Sequence, residues 1–473
     1  MLTGDLLLRP REPGITITQW LYEELRHAIL DGRLHRGAAI PPTRSLAAQY
    51  GVSRRIVVNV FEQLRDEGYL EAQVGAGTRV SEKVPEDFLA ATQRAKPHRA
   101  AHDEGGASQR RPARPFQAID PSVADFPMEV WARLTGRCLR RANTADLVRG
   151  LAAGYYPLRE AIAAYLGASR GVSCSADHVV ITSGTQQSLD ILSRVLLRPN
   201  DRVWVEDPGY TDAIHLFRLA GAEIVPVPVD EHGISVERGR AKCPQPSAIY
   251  LTPAHQFPLG VTLRLDRRLN LLQWTRQKNV PVIEDDYDSE FRFSGRPVPA
   301  MKGLEGAEHV FLLGTFNKAV FPSLRLGYMV VPDPWLEPVV SLRRRVERYP
   351  SRLPQLVLAR FLDEGHFAKH LRRMRELYGR RLAALRQDVD KYLKGVLELP
   401  EIEAGLNTPA YLRNGMTSRQ AARLAEAANV EVWPLDRFAI ARGDLRGLVL
   451  GFAAFDEKEI RKGVLALAKA LAG

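Results

Sequence analysis

Two kinds of hydrophobic spacing divide the chain. Within the first 86 residues the apolar positions recur at helical intervals. Leu21, Leu25, Ala28 and Ile29 stand at i, i+4, i+7 and i+8, which predicts a helix with one buried face, ended by Asp31-Gly32. Pro41-Pro42 precedes Thr43, read as the N-cap of a short helix through Tyr50. Gly51-Val52 turns the chain, and Ser53 caps a longer helix from Arg54 to about Glu67. On that helix Val57, Val60, Phe61 and Leu64 share the inner face, which leaves Arg54, Arg55 and Asn59 pointing outward. Gly68 closes it. Two short strands, Tyr69 to Val74 and Thr78 to Val80, then flank Gly75-Ala-Gly77.

From Phe116 onward the pattern changes. Short apolar runs alternate with helical ones, the signature of an α/β domain with a mostly parallel sheet covered by helices. Val179 to Thr182, Arg202 to Val205, Ala248 to Thr252, Val280 to Ile283, Val310 to Leu313 and Leu326 to Val331 read as strands. The first of these runs into Ser183-Gly-Thr-Gln186 and a helix that buries Leu189, Leu192, Val195 and Leu196. Such a turn at a helix N-terminus offers free N–H groups to a phosphate. Between the two regions, residues 87–115 are rich in Ala, Arg, Pro, Gly and Ser and keep no apolar period. They read as a flexible basic linker, with a span of roughly 30 Å for a chain of that length.

Composition narrows the class. A chain of 473 residues with 45% hydrophobic and 26% charged residues is expected to be a soluble protein of several domains. No apolar run approaches membrane-spanning length and no signal core opens the chain, so a cytoplasmic location without membrane contact is expected. Cys138, Cys174 and Cys243 are widely spaced, which fits a reducing compartment and gives no metal-ligand pattern. The net charge of +11 permits a nucleic-acid partner, but residues 1–86 hold 11 Lys+Arg against 11 Asp+Glu. Any DNA binding by the N-terminal region must therefore rest on local patterning.

That patterning is present. Helix, short helix, turn, helix and hairpin is the order of a winged helix-turn-helix, whose recognition helix enters the major groove of double-stranded DNA. Arg54 and Arg55 occupy the recognition positions, Asn59 shares their outward, DNA-binding face, and Arg44 and Thr78 are placed to reach phosphates. Arg110-Arg111 and Arg114 add basic groups in the linker.

In the larger region the chemistry gathers after two buried runs: Val282-Ile-Glu-Asp-Asp-Tyr-Asp-Ser-Glu-Phe291 and Gly314-Thr-Phe-Asn-Lys-Ala-Val-Phe-Pro-Ser-Leu-Arg-Leu-Gly327. Ligands of open α/β sheets bind beyond the carboxyl ends of the strands. An acid, a phenol and a lysine at successive strand ends meet the needs of pyridoxal 5'-phosphate: a lysine for the Schiff base and a carboxylate for the pyridine nitrogen. Arg325, seven residues after Lys318, can pair with a phosphate.

The stretch from Leu21 to Val80 resembles the GntR-type winged-helix DNA-binding domain along its whole length. The segments ITSGTQQSLDIL, VEDPGY, LTPAHQFPLG, VIEDDYDSEFRF, GTFNKAVFPSLRLGY and LGFAAFDEKEIRKGV resemble the aminotransferase-like domain of the MocR subfamily of GntR regulators. The resemblance implies three regions: a winged helix-turn-helix at 1–86, the linker at 87–115, and a fold-type I pyridoxal-phosphate-binding domain at 116–473. It implies that Lys318 carries the internal aldimine, Asp285 pairs with the pyridine nitrogen, Tyr287 bonds the ring oxygen and Tyr210 stacks on the ring. Gly184, Thr185, Gln186, Thr315 and Arg325 would hold the phosphate.

Three departures stand out. Asn317 replaces the usual serine before the lysine, Phe257 replaces an asparagine before Pro258, and Arg446 is offset from the position of a carboxylate-clamping arginine. They bear on transamination more than on cofactor binding. The implied function is a homodimeric transcription regulator that senses pyridoxal phosphate, or its aldimine with an amine or amino-acid effector, at an operator. The alternative is an active aminotransferase with an accessory DNA-binding domain.

Overall fold

Helical periodicity in the first region produces three helices around one core. The computed structural model describes residues 8–11, 14–73, 77–85, 114–142, 144, 148–295 and 299–471. Helices α1 (Ile17–Leu30), α2 (Thr43–Tyr50) and α3 (Arg54–Asp66) bury Leu21, Leu25, Leu46, Val57, Val60 and Leu64 completely. Ser53 caps α3 by accepting a hydrogen bond from the Ile56 N–H. Thr43 is not a cap. It is the first helical residue of α2, and Pro42, which fixes φ and has no N–H to lose, holds the N-cap position. Gly51, at φ 62°, ends α2 in the left-handed conformation and lets the chain turn tightly into α3.

Strands β1 (Leu70–Gln73) and β2 (Gly77–Val80) form the hairpin, paired from Leu70 with Val80 to Gln73 with Gly77. The segment around Ala39 adds a third pairing. Gly37 and Ile40 donate N–H groups to the carbonyls of Val80 and Thr78, and Val80 donates to Ala38. Nothing in the apolar pattern of residues 37–40 announces this pairing.

The chain divides into units Met1–Arg111 and Pro112–Gly473. Of the expected linker, residues 87–113, with Arg110 and Arg111 among them, lie outside the described residues. Its last two residues behave differently from the expectation. Arg114 forms an ion pair with Glu431 at 3.1 Å, and the Pro115 carbonyl accepts from the Glu431 N–H. Both belong to the large unit, so Arg114 is held by a carboxylate rather than left for phosphates.

The large unit opens with helix α4 (Met128–Arg141) and is built on an eight-stranded sheet. Its strands are β3 (Val179–Thr182), β4 (Arg202–Asp207), β5 (Glu223–Asp230), β6 (Gly233–Ile234), β7 (Ala248–Leu251), β8 (Val282–Asp286), β9 (Val310–Thr315) and β10 (Gly327–Val330), in the order β3-β10-β9-β8-β7-β4-β5-β6. Pairing is parallel from β9 through β8, β7 and β4 to β5, while β10 runs against both its neighbours and β6 against β5. Helices cover both faces, which is why β3, β7, β8, β9 and β10 are buried at every residue. On the helix Thr185–Leu196, Leu189 and Leu192 are buried as expected, but Val195 and Leu196 are only partly so and Leu197 takes their place.

A second, antiparallel sheet of β11 (Leu397–Glu398), β12 (Asn407–Leu412), β13 (Trp433–Pro434) and β14 (Gly447–Gly451), ordered β11-β12-β14-β13, packs with the last helices. Phe116, fully buried, is tied to it: its carbonyl accepts from the Gly451 N–H. Among the described residues no helix is long and apolar enough to cross a membrane.

Candidate functional site

The two organising strands do not stop where their apolar runs do. Pairing of β8 with β9 continues through Asp285–Leu313 and Asp286–Gly314, so the carboxylates lie within the ladder. Strand alternation then sorts them onto opposite faces. Glu284 accepts from the N–H groups of Met301 and Lys302, and Asp286 pairs with Arg170 at 2.7 Å. Asp285 points the other way. It accepts from the Tyr250 hydroxyl at 2.8 Å and from Thr185 Oγ1 at 3.4 Å.

A cavity of about 240 Å³ opens on the face of Asp285. Asp285, Tyr287, Lys318 and Tyr210 all line it. So do Gly184, Thr185 and Gln186 at the start of the helix Thr185–Leu196, and Thr315 and Arg325 from the other side. Residues spread over 142 positions of the chain, from Gly184 to Arg325, therefore converge on one site. The close approach that allows this involves two glycines. A β-carbon at Gly327 would lie 2.7 Å from the Gly184 Cα, and Gly184 itself has φ 125°.

Burial sets the electrostatics. It raises the pKa of Asp285 to about 7, against a lowering by the hydrogen bonds from Tyr250 and Thr185. Glu206, at the end of β4, is raised to about 7 for the same reason and accepts from the Thr252 N–H and hydroxyl. Burial lowers the Lys318 pKa, partly offset by Asp120 and Asp288, which favours the neutral, nucleophilic amine. The Tyr210 hydroxyl accepts from Gln186 Nε2 at 2.7 Å, and burial keeps it protonated.

Asn317 binds the strand ends together. Its Oδ1 accepts from the Leu326 N–H at 3.0 Å, its Nδ2 donates to the Ser183 carbonyl at 3.4 Å, and its own N–H donates to Thr315 Oγ1 at 3.2 Å. Phe257 stands edge-on to Tyr210, Tyr287 and Phe438 and makes that wall apolar. Arg446 is exposed and does not line the cavity; its carbonyl accepts from the Leu412 N–H. Sequence reasoning did not single out Tyr250 or Glu206. Tyr250 looks like one more core residue of an apolar strand, whereas Glu206 carried a usable signal: an acid at the end of a buried run.

On the N-terminal unit, Arg44, Arg54, Arg55 and Asn59 are exposed, and the three guanidinium groups make no hydrogen bond or ion pair among the described residues. Thr78 is half-buried, with its carbonyl engaged by Ile40. Arg54 and Arg55 fall in the first turn of α3, where free N–H groups and the helix dipole also attract phosphate.

Comparison with known proteins accounts for both units. Residues 17–80 match the family of bacterial regulatory proteins, gntR family, and residues 127–467 match aminotransferase class I and II. The probable rhizopine catabolism regulatory protein MocR of Rhizobium meliloti is 38% identical over 98% of this chain and 96% of its own. The pyridoxine biosynthesis transcriptional regulator PdxR of Corynebacterium glutamicum is 30% identical over 96% of each. Among solved structures, the α-aminoadipate aminotransferase LysN of Thermus thermophilus, complexed with N-(5'-phosphopyridoxyl)-L-leucine, superposes with a TM-score of 0.70 at 29% identity, covering 76% of this chain and 92% of that one. The chain belongs to the MocR subfamily of GntR-type transcription regulators, in which a winged helix-turn-helix domain is joined to an aminotransferase class I and II domain.

Proposed function

We propose that this DNA-binding transcription regulator holds pyridoxal phosphate in the Asp285 cavity and uses its occupancy to set operator affinity. The observation that carries the reading is the convergence of Lys318, Asp285 and the helix N-terminus at Thr185 on one cavity. The residues fit the group. A buried acid suits a ring nitrogen, a lysine with a lowered pKa suits an aldehyde, and the Gly184-Thr185-Gln186 turn with Thr315 and Arg325 suits a phosphate. Tyr210 would lie against the ring and Tyr287 would meet its oxygen, since both line the cavity. Pyridoxal phosphate, when bound, supplies a carbonyl that captures amines and a ring that withdraws electrons.

Lys318 would hold the cofactor through its side-chain amine, and the bound carbonyl would be open to exchange with an amine or amino-acid effector. The exposed position of Arg446 removes one carboxylate clamp, so transamination is at most slow and the aminotransferase alternative is the weaker one. The protein acts in the cytoplasm as a homodimer. Support for the second copy comes from large apolar side chains left exposed at Leu139, Val148, Leu151 and Val346, two of whose segments are joined by a Tyr349 hydroxyl bond to the Val148 carbonyl. A winged helix on each copy reads repeated half-sites.

A ligand shifts DNA affinity only by binding the competent and incompetent arrangements unequally. A coupling of about 1–3 kcal/mol changes operator affinity roughly 5- to 150-fold. The test is operator binding by wild type and Lys318→Ala, each with and without pyridoxal phosphate, after borohydride trapping has identified the modified lysine. Loss of the trapped adduct and of the cofactor response in the variant is expected. Equal DNA binding in all four conditions, with rapid transamination of an ordinary amino acid, overturns the reading.

A further inference from the structure

Tyr287, Asp288 and His255 form a closed group beside the cavity. The side chains of His255 and Asp288 are only 2% and 1% exposed. Both carboxylate oxygens of Asp288 lie 3.0 Å from His255 Nδ1, and the Tyr287 hydroxyl oxygen lies 3.1 Å from the same nitrogen. The Tyr287 and His255 rings are 5.9 Å apart and inclined by 30°. One ring nitrogen thus faces three oxygens. The other, Nε2, is buried with no hydrogen-bond partner among the described residues. Backbone closes the space around the ring: a β-carbon at Gly405 would fall 2.1 Å from His255 Cε1.

These contacts fix the protons. An ionised aspartate only accepts, so the nitrogen facing both of its oxygens must carry hydrogen. A hydrogen on Nε2 would be buried without an acceptor among the described residues, which favours the tautomer that carries its hydrogen at Nδ1. Facing that N–H, the Tyr287 oxygen is an acceptor. Its own hydrogen has no place along the line to His255 and is left for the cavity.

We propose that Asp288 and His255 are positioning residues that make Tyr287 a one-way hydrogen-bond donor into the site, selecting a ligand with an electron-rich oxygen at that point. The ring oxygen of pyridoxal phosphate has that chemistry, so the inference rests on the cofactor reading above. Burial, together with the charges of Asp288, Asp285, Glu206 and Asp286, raises the Tyr287 pKa well above its usual value and keeps the donated hydrogen in place.

Two measurements test it. In the cofactor-free full-length protein labelled with nitrogen-15 histidine, the resonance pair lost in His255→Phe should report a neutral ring protonated at Nδ1, and Asp288→Asn should abolish that state. A ring protonated at Nε2, or an imidazolium, overturns the proposal. With pyridoxal phosphate added, the pH midpoint of the visible band should rise by about one pH unit in His255→Phe, because the ligand oxygen loses an oriented donor. In a Tyr287→Phe background the same change should have no further effect. An equal shift with and without the Tyr287 hydroxyl means that His255 acts only as packing, and the proposal fails. A wild type without any visible band overturns the cofactor reading, while the histidine spectrum still decides the positioning claim.

Discussion

Tyr250 and Asp285 are joined across neighbouring parallel strands, phenol to carboxylate at 2.8 Å, with both side chains buried. The bond lowers the proton affinity of Asp285 but does not overcome burial, which lifts the carboxyl from 3.8 to about 7. The folded protein therefore binds this proton more tightly than the unfolded chain does. Its contribution to stability is full below about pH 4 and is lost as pH rises to about 7. Glu206 acts in the same direction between 4.5 and about 7.

Asp285→Asn should therefore flatten the stability profile of the cofactor-free protein. We expect the variant to gain roughly 2–4 kcal/mol on wild type between pH 4 and pH 8, read from urea midpoints. Tyr250→Phe should steepen the wild-type decline, since it removes a donor to the carboxylate. Parallel profiles for wild type and Asp285→Asn would show that Asp285 is not the titrating group.

Asn317→Ala should destabilise the large unit by about 1–3 kcal/mol. It strands the Leu326 N–H, whose acceptor is Asn317 Oδ1, and cuts the bond to Ser183 that holds the cavity rim. Thermal melting and cofactor affinity should fall together. A melt unchanged from wild type would mean that solvent or a neighbour replaces those bonds without cost.

Arg54→Ala or Arg55→Ala should weaken binding to the specific operator by about 1–3 kcal/mol where the side chain makes a bidentate base contact. Arg44→Ala should weaken specific and unrelated DNA alike and reduce the salt dependence. The motive is that all three are exposed and free of partners among the described residues, two of them in the first turn of α3. Gel-shift titrations at two salt concentrations separate the cases, and unchanged affinity in both recognition-helix variants rules out this docking.

Local rules made much of this legible. Helical spacing located α1 and α3, and Ser53 capped where a short polar side chain at a helix start should. Thr43 misled because proline, without an N–H, can stand at the cap and push a good capping residue one place inward. The strand ends misled because hydrophobicity was read as the limit of β structure. In β8 the ladder is set by its partner, and acids continue it wherever the other face offers Arg170 or the N–H groups of Met301 and Lys302. Lysine, acid and phenol were visible because their types are rare at buried strand ends. Tyr250 was not, because its neighbours Ile249 and Leu251 are apolar and only the tertiary register brings its hydroxyl to Asp285. His255 was hidden for the same reason: its partner Asp288 lies 33 residues on.

The bond from Gly451 to Phe116 has a mechanical meaning. Force drawn through the residues that precede Arg114 is not borne by the eight-stranded sheet first. It enters the small sheet at β14 through Phe116, and just before β13 through the Arg114–Glu431 pair. That sheet is in turn fastened to the site, because Asp207 accepts the N–H groups of Ile440 and Ala441 and Gly209 donates to the Phe438 carbonyl. The segment that begins at Arg114 and the strand end that leads to Tyr210 are thus both anchored to the same small lobe.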